Sequence, residues 1–158
     1  MTVAEVREVL DQVCDPEIPV LTIADLGILR DVELDGGAIT VTITPTYSGC
    51  PAMEEIRADV TAALAEHGWD DVVVRLVLSP AWTTEWMTAE GRRKLEAYGI
   101  APPRRTPGLV DVVIGSPLEC PQCGSKDTEE LTRFSSTACK SMWRCRSCRE
   151  PFDHFKDH

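Results

Sequence analysis

Two Cys-x-x-Cys pairs, Cys120-Pro121-Gln122-Cys123 and Cys145-Arg146-Ser147-Cys148, determine how the C-terminal part of this chain folds. Twenty-one residues separate the two pairs. Each pair places two sulfur atoms on one tight turn, and two such turns can direct four thiolates at a single ion. Gly124 follows the first pair, where it suits the turn of a zinc knuckle. The spacing therefore predicts a metal site made of four cysteines.

Zinc is the expected ion, because a set of four thiolates is typical of structural zinc sites; an iron–sulfur cluster is the alternative. The tail is too short to bury a self-sufficient core, so the metal is expected to stabilise it, with a hairpin between Glu130 and Arg144. Cys139 is a spare thiol near this site, either a small buried side chain or an auxiliary ligand. His154 and His158 are expected in a solvated tail, with metal ligation as the alternative.

The charge is unevenly distributed along the 158 residues. Residues 117–158 contain seven basic and seven acidic side chains, so the first 116 residues carry the whole net charge of -10. An acidic body repels phosphate backbones, which disfavours nucleic-acid binding. The sequence has neither a signal peptide nor an apolar run long enough to span a bilayer, so we expect a cytoplasmic protein. Clustered cysteines in that compartment favour metal binding over disulfides.

The first hundred residues alternate helical and extended patterns. Thr2 and Glu5 form a capping box at the start of a helix, and Asp35-Gly36-Gly37 is a turn between two alternating strands. Pro51 suits the first position of a second helix. The sequence thus predicts two strands at about 28–34 and 39–44, a third at 72–78, a short helix at 88–98 and a last strand at 109–114.

This order predicts an α+β fold: a small helix-strand-strand-helix-strand sandwich with helices on one face of the sheet, followed by a zinc-ribbon module. We place the first domain at residues 1–100, a linker with a short strand at 101–116 and the ribbon at 117–158. Trp82 and Trp86 lie after the third strand, and we interpret them as core or interface anchors rather than as a ligand site.

Cys50 is the cysteine of the first domain with the most informative position. It directly precedes Pro51 at a helix start, where backbone N–H groups and the helix dipole favour a thiolate. Such a thiol can be a nucleophile, a redox group or a ligand for a soft metal; a buried filler of the loop is an equally weighted alternative. His67 lies at the far end of the same helix, so it cannot serve Cys50 as a base and no catalytic pair is indicated.

Three segments resemble the signature of the SufT-like iron–sulfur assembly domain family: Asp15-Pro16-Glu17-Ile18-Pro19, Asp25-Leu26-Gly27 and Thr44-Pro45-Thr46-Tyr47-Ser48-Gly49-Cys50-Pro51. Later segments, including Pro80-Ala81-Trp82-Thr83-Thr84-Glu85-Trp86 and Ser136-Thr137-Ala138-Cys139-Lys140, extend the resemblance over nearly the whole chain. Together they are similar to the family of small accessory proteins encoded with ring 1,2-phenylacetyl-CoA epoxidase, an enzyme of aerobic phenylacetate catabolism.

The resemblance implies an accessory protein that matures or repairs a metal centre, rather than an independent enzyme. The reactive cysteine of the family maps onto Cys50 and its acidic loop onto Asp15 and Glu17, while Cys120, Cys123, Cys145 and Cys148 map onto the ribbon ligands. The implied partners are the catalytic di-iron subunit or the iron–sulfur reductase of the epoxidase, with the iron–sulfur assembly machinery and a second copy of the chain as further candidates. The implied cargo is iron or a transient iron–sulfur cluster.

Three further functions stay open on the residues alone. The chain could be a structural or regulatory subunit of the oxygenase complex, with Cys50 merely buried. It could be a thiol redox catalyst that uses Cys50 with Cys14 or Cys139. A nucleic-acid-binding ribbon is the fourth reading, and the acidic body argues against it.

Overall fold

The computed structural model describes residues 1–104 and 117–158 of the chain. They form two compact units, Met1–Gly91 and Arg92–His158. Helices and strands are mixed in the order that the sequence predicts, which confirms the α+β class. The predicted strand at 109–114 lies outside the described residues. Among the helices of the two described ranges, we find none with the length and apolarity that crossing a bilayer requires.

Helix α1 (Val3–Leu10) begins at the predicted capping box. The Thr2 hydroxyl accepts a hydrogen bond from the Glu5 N–H, and the Glu5 carboxylate accepts one from the Thr2 N–H. This pair satisfies two backbone donors that a helix start would otherwise leave unpaired. Val6 and Leu10 lie on the buried face of the helix, and both are fully buried.

The first unit contains a three-stranded sheet in the order β1-β2-β3. Strands β1 (Leu29–Asp35) and β2 (Ala38–Ile43) form the predicted hairpin, in which Gly36 and Gly37 adopt positive φ angles of 58° and 105°. Helix α2 (Ala52–Ala65) connects β2 to β3 (Val72–Leu76), which runs parallel to β2. Because a parallel connection crosses over the sheet, α2 covers the sheet face and packs beside α1.

A segment rich in tryptophan folds back onto the Asp25-Leu26-Gly27 loop of the same unit. The indole N–H of Trp82 donates to the Leu26 carbonyl at 2.8 Å, and the Arg30 guanidinium lies 3.6 Å from the centre of the Trp86 ring. Gly27 has a φ of 73°, and a Cβ atom there would lie 2.4 Å from the Trp86 carbonyl oxygen. Trp82 is 5% exposed, as expected of a core anchor.

Helix α3 (Ala89–Ala97) follows and contains the boundary between the two units. Asp25 contacts the residue before α3, because its carbonyl oxygen accepts the Thr88 N–H at 2.9 Å. The Asp25 carboxylate accepts the Thr22 N–H at 3.1 Å. The Thr88 hydroxyl in turn accepts the Gly91 N–H at 2.9 Å. Both the backbone and the carboxylate of Asp25 are therefore engaged in closing this loop.

The second unit contains a four-stranded sheet in the order β4-β7-β6-β5. Its strands are β4 (Ile100–Ala101), β5 (Thr128–Thr132), β6 (Lys140–Cys145) and β7 (Pro151–Phe155). Strands β5 and β6 form the hairpin that the sequence predicts, and β6 also pairs antiparallel with β7. Strand β4 pairs with β7 in parallel, so Ile100 and Ala101 join the ribbon sheet. The proposed domain limits at residues 100 and 116 stay a prediction.

The C-terminal residues differ from the sequence prediction. Pro151–Phe155 form strand β7 and His154 is buried within it, with 5% of its surface exposed, whereas His158 lies beyond the strand and is exposed, as the solvated tail predicts. Phe152 and Phe155 of the same strand are buried as well. The prediction for His154 was wrong because the strand contains polar residues and gains its stability from pairing with β6 and with β4, and β4 is distant in sequence.

Candidate metal centre and the Cys50 loop

The structure brings the four predicted ribbon cysteines together. One sulfur atom from each of Cys120, Cys123, Cys145 and Cys148 lies within 4.8 Å of the other three. The Cys120 and Cys148 sulfurs are 3.8 Å apart, and those of Cys123 and Cys145 are 3.6 Å apart. A tetrahedral ion with bonds of ~2.3 Å to sulfur requires sulfur–sulfur edges of about 3.8 Å. The four thiols therefore fit one tetrahedral metal ion.

Backbone turns hold both halves of this cysteine cage. The Gly124 N–H donates to the Cys120 carbonyl at 2.8 Å, and Gly124 has a φ of 74°. In the second half, the Cys148 N–H donates to the Cys145 sulfur at 3.5 Å, and Arg149 adopts a φ of 66°. The predicted role of Gly124 is thus confirmed. Arg149 occupies the equivalent position of the second turn at the cost of some backbone strain.

The four thiols of the cage can all lose their protons only when a cation lies between them. The N–H of Cys148 is the main reason why the pKa of Cys145 is lowered to about 6. The Glu150 N–H also favours the thiolate of Cys148, but burial and the three neighbouring thiols raise the pKa of Cys148 to about 12. Sulfur atoms this close cannot all be anionic by themselves, and a divalent cation removes the conflict.

The cage is part of the small hydrophobic core of the second unit. That core consists of six buried residues: Ala101, Leu118, Cys120, Trp143, Cys145 and Phe152. Two of the six are metal-ligating candidates. Outside the core, the Ser125 and Ser147 hydroxyls lie 2.8 Å apart and connect the two turns, while Glu129 pairs with Arg144 and Arg146. The candidate metal site and the hydrophobic core of the second unit therefore share residues.

Cys139 is separate from the cage. It is 4% exposed, and the Thr137 hydroxyl lies 3.1 Å from its sulfur atom. Among the described residues, the four-sulfur group does not include it. Its geometry fits the small buried side chain of the sequence analysis, and an auxiliary metal role remains a prediction.

Cys50 lies in the loop that begins α2. Its side chain is 8% exposed, and the Gly49 before it has a φ of 80°. The Cys50 N–H donates to the Tyr47 carbonyl at 3.3 Å, and the Cys50 carbonyl accepts the Met53 N–H at 3.3 Å. The N–H of Ala52 donates to the sulfur atom itself. The loop therefore places the thiol at the helix start, as the sequence predicts.

The two acidic residues of the site lie within electrostatic range of this thiol. The carboxylates of Glu17 and Asp15 both raise the pKa of Cys50. Asp15 is itself 6% exposed, and one of its oxygens accepts the N–H groups of Glu17 and Ile18, each at 2.8 Å. This turn fixes the acidic loop beside the start of α2. The structure thus places Asp15 and Glu17 within electrostatic range of Cys50, whereas Cys14, next to Asp15, is exposed.

The expected thiolate is disfavoured. A position at a helix start predicts a lowered pKa for Cys50, but burial raises it, and the charges of Glu17 and Asp15 add to the increase. The Ala52 N–H and the Tyr47 side chain oppose this increase without overcoming it. The prediction was wrong because it counted the helix and could not count desolvation or the nearby carboxylates.

Tyr47 is the site residue that the sequence analysis did not single out. Its side chain hydrogen-bonds to the Cys50 sulfur and stabilises the anion. The only signal in the sequence is its position three residues before Cys50 in a short loop. A loop residue gains such a contact only through the turn that the chain makes at Gly49.

Two family models match the chain. Residues 3–76 match the model for an iron–sulfur cluster assembly protein, and residues 114–156 match the PaaD zinc beta ribbon domain. A protein of Escherichia coli (strain K12), named as a candidate component of 1,2-phenylacetyl-CoA epoxidase, is 47% identical over 98% of this chain and 92% of its own length. The first match contains the Cys50 loop and the second contains the cysteine cage.

The first unit also has relatives without the ribbon. An Fe-S protein maturation auxiliary factor of Bacillus subtilis (strain 168) is 40% identical over 50% of this chain and 78% of its own length. A solved domain of unknown function from Bacillus anthracis has a TM-score of 0.55 at 29% identity and covers 59% of this chain and 90% of that one. A conserved hypothetical protein from Thermotoga maritima has a TM-score of 0.51 at 32% identity, covering 60% of this chain and 94% of its own.

Proposed function

This chain belongs to the PaaD family, and we propose that it is an accessory protein that supplies or repairs a metal centre of a phenylacetyl-CoA epoxidase complex. One observation carries the proposal. The carboxylates of Glu17 and Asp15 act electrostatically on the Cys50 thiol, and the Tyr47 side chain hydrogen-bonds to its sulfur atom. That group can hold a metal ion briefly and release it again.

The charges around Cys50 determine how its thiol would bind an iron cation. The thiol is protonated at neutral pH because its pKa is raised, so it is a poor nucleophile in the empty state. The carboxylates that raise this pKa also attract an iron cation. When the cation approaches, the thiol loses its proton to solvent and the sulfur becomes a ligand. The Ala52 N–H and the Tyr47 side chain then stabilise the sulfur anion.

We infer zinc as the ion of the cysteine cage. All four sulfur atoms lie within 4.8 Å of one another, which fits a single ion, whereas a cluster would insert several iron and sulfide atoms between them. Four protein ligands complete a tetrahedral shell, so such a site has no open position for chemistry and is structural. Cys120, Cys123, Cys145 and Cys148 would hold the ion, which supplies rigidity to the ribbon.

The test compares Cys50→Ser with Cys14→Ser, a change of an exposed cysteine in the same unit. We expect both variants to fold and to keep one zinc ion. In cells growing on phenylacetate, Cys50→Ser should leave the epoxidase subunits with less iron or iron–sulfur cluster, while Cys14→Ser should not. Metal content and activity of the purified epoxidase complex report the outcome. Normal iron content in the Cys50→Ser strain would refute the proposed role of the thiol.

A purely structural subunit is the second candidate. Its support is that Cys50 is 8% exposed and has a raised pKa, which also describes an inert core cysteine. In that case Cys50→Ser leaves the metal content of the complex unchanged, while deletion of the whole chain lowers the amount of assembled complex. Native mass spectrometry of the complex distinguishes this result from a loss of iron alone.

A further inference from the structure

The ribbon sheet of the second unit carries a groove of about 390 Å³ that the cysteine cage does not use. Ser141, Trp143 and His154 line it. Ser141 is paired with His154 across β6 and β7, and Trp143 is paired with Glu130 across β5 and β6, so these side chains share one face of the sheet. The groove is therefore built on regular strands.

One buried polar atom at this groove has no hydrogen-bond partner among the described residues. It is the Nε2 atom of His154, a side chain that is 5% exposed. Burial lowers the pKa of His154 to about 4, so the ring is neutral at pH 7. An unsatisfied buried polar group costs roughly 1–3 kcal/mol. Native structures rarely keep such a group without ordered water, an ion, a ligand or a partner that pairs with it.

The neighbouring hydrogen bonds assign the proton of this ring. The Trp143 indole N–H donates to the Ser141 hydroxyl oxygen at 3.0 Å. The Ser141 hydroxyl lies 3.5 Å from His154 Nδ1 and can donate its own proton to that atom. In that arrangement the proton of the neutral ring lies on Nε2. This tautomer of His154 offers an N–H donor, which suits a carboxylate or a carbonyl oxygen.

The charged residues at the rim of the groove favour a ligand that is anionic overall but also contains hydrogen-bond donors. Arg104, Arg133 and Lys156 supply three positive charges, against the two carboxylates of Glu130 and Asp157. This local excess of positive charge contrasts with the net charge of -10 on the whole chain. The two carboxylates make the groove a poor site for a polyphosphate. A peptide, which carries both donors and acceptors, fits the mixture better.

An exposed aromatic ring completes the site. Phe134 is 64% exposed, and the Lys156 ammonium lies 4.4 Å from the centre of its ring. The Lys156 ammonium also donates to the Arg133 carbonyl at 3.1 Å. These contacts keep a positive charge and an apolar surface side by side at the edge of the groove.

We propose that this groove is a docking site for an acidic peptide segment of a partner protein. A carboxylate of the segment pairs with Arg133 and Lys156, an oxygen atom accepts the Nε2 proton of His154, and an apolar side chain packs on Phe134. The inference goes beyond the proposed metal chemistry and stands without it, because docking needs neither Cys50 nor iron.

The test selects peptides from a random displayed library on the full-length, zinc-loaded chain. Enriched peptides are then synthesised with a fluorescent label and titrated by anisotropy. We expect sequences rich in aspartate and glutamate whose affinity falls as salt increases. Arg133→Glu should weaken binding by at least about tenfold, because it places like charges in contact. The matched control is Lys126→Glu, an exposed lysine outside the groove, which should bind as the unchanged chain does.

His154→Phe separates docking from stability. Phenylalanine keeps the ring but removes the unsatisfied nitrogen, so the melting temperature should stay equal or rise while affinity for the acidic peptide falls about threefold or more. If His154→Phe does not fold, the peptide titration of Arg133→Glu tests the proposal by itself, because Arg133 is exposed. Cys50→Ser should bind the peptide normally, which keeps a failure of docking distinct from a failure of metal delivery.

Three results would overturn the proposal. The first is a selection that yields no acidic sequences, and the second is an acidic peptide that binds Arg133→Glu as tightly as the unchanged chain. The third is a concentration-dependent dimer that Arg133→Glu abolishes, which would assign the groove to a second copy of the chain instead.

Discussion

The two units of this chain are stabilised by different means. Of the twelve largest fully buried side chains in the described residues, ten lie in Met1–Gly91 and only Leu95 and Phe155 lie in Arg92–His158. The second unit instead builds its small core around two cysteines of the metal cage. The first unit therefore has the larger apolar core, and the core of the second unit includes two cysteines of the candidate metal site.

The thiols of Cys145 and Cys50 also differ between the two units, in the direction in which their pKa values shift. The Cys145 sulfur accepts an N–H from Cys148, and the Cys50 sulfur accepts one from Ala52, so each thiol lies at a turn that favours an anion. The pKa of Cys145 falls, whereas that of Cys50 rises because of burial and of Glu17 and Asp15. The turn N–H dominates at Cys145, whereas burial and the nearby carboxylates dominate at Cys50, so a turn of this kind does not by itself decide the direction in which a thiol pKa shifts.

Removal of the metal should have the largest effect. Structural zinc binding contributes roughly 10–16 kcal/mol in small zinc domains, which exceeds the net stability of most of them. A strong chelator should therefore abolish amide protection in β5, β6 and β7 while β1 and β2 stay protected. Hydrogen-exchange mass spectrometry measures both units in one experiment. Protection of β5 to β7 after complete removal of zinc would contradict the proposed dependence on metal.

Leu10→Ala tests how strongly the first unit is stabilised by apolar burial. Leu10 is fully buried, so its truncation should cost about 2–5 kcal/mol of unfolding free energy. Denaturant unfolding with tryptophan fluorescence measures the change, and zinc content should stay the same. Leu78→Ala is the control, because Leu78 is 56% exposed and its truncation should change stability by less than about 0.5 kcal/mol. Equal effects of the two changes would show that α1 does not pack as described.

Thr2→Ala should have a smaller effect in the same unit. It removes the acceptor for the Glu5 N–H and should cost about 1 kcal/mol. The loss should appear first as faster amide exchange in the first turn of α1. Thr2→Ser, which keeps the hydroxyl, is the matched control and should behave almost like the unchanged chain.

Glu17→Gln should bring the pKa of Cys50 closer to that of Cys145. Removing this charge lowers the pKa of Cys50, so at a fixed pH below the pKa a larger fraction of the thiol is ionised. Because burial is the main cause of the raised pKa, we expect only about a two- to fivefold faster alkylation of Cys50. Mass spectrometry of the Cys50 peptide measures the rate across pH.

Glu66→Gln is the control for this change, because Glu66 lies at the opposite end of α2. It should leave the alkylation rate unchanged. A rate that does not respond to Glu17→Gln would mean that the acidic loop does not act on the thiol.

Local signals explain why much of the fold could be predicted. The capping box of Thr2 and Glu5, the turn at Gly36 and Gly37 and the two Cys-x-x-Cys pairs each depend on residues close in sequence. Strand β7 and the burial of His154 could not be predicted in the same way. Their stability comes from pairing with β6 and with β4, which precedes His154 by more than fifty residues.

Residues close together in the chain were enough to establish the α+β order of elements, the four ribbon cysteines and the position of Cys50 at a helix start, because spacing and turn chemistry are local properties. Two features became visible only in the folded chain: burial and two carboxylates raise the pKa of Cys50, and a buried ring nitrogen of His154 has no hydrogen-bond partner among the described residues. The physical reason is that desolvation and charge interactions act through space, between residues that the chain brings together only when it folds.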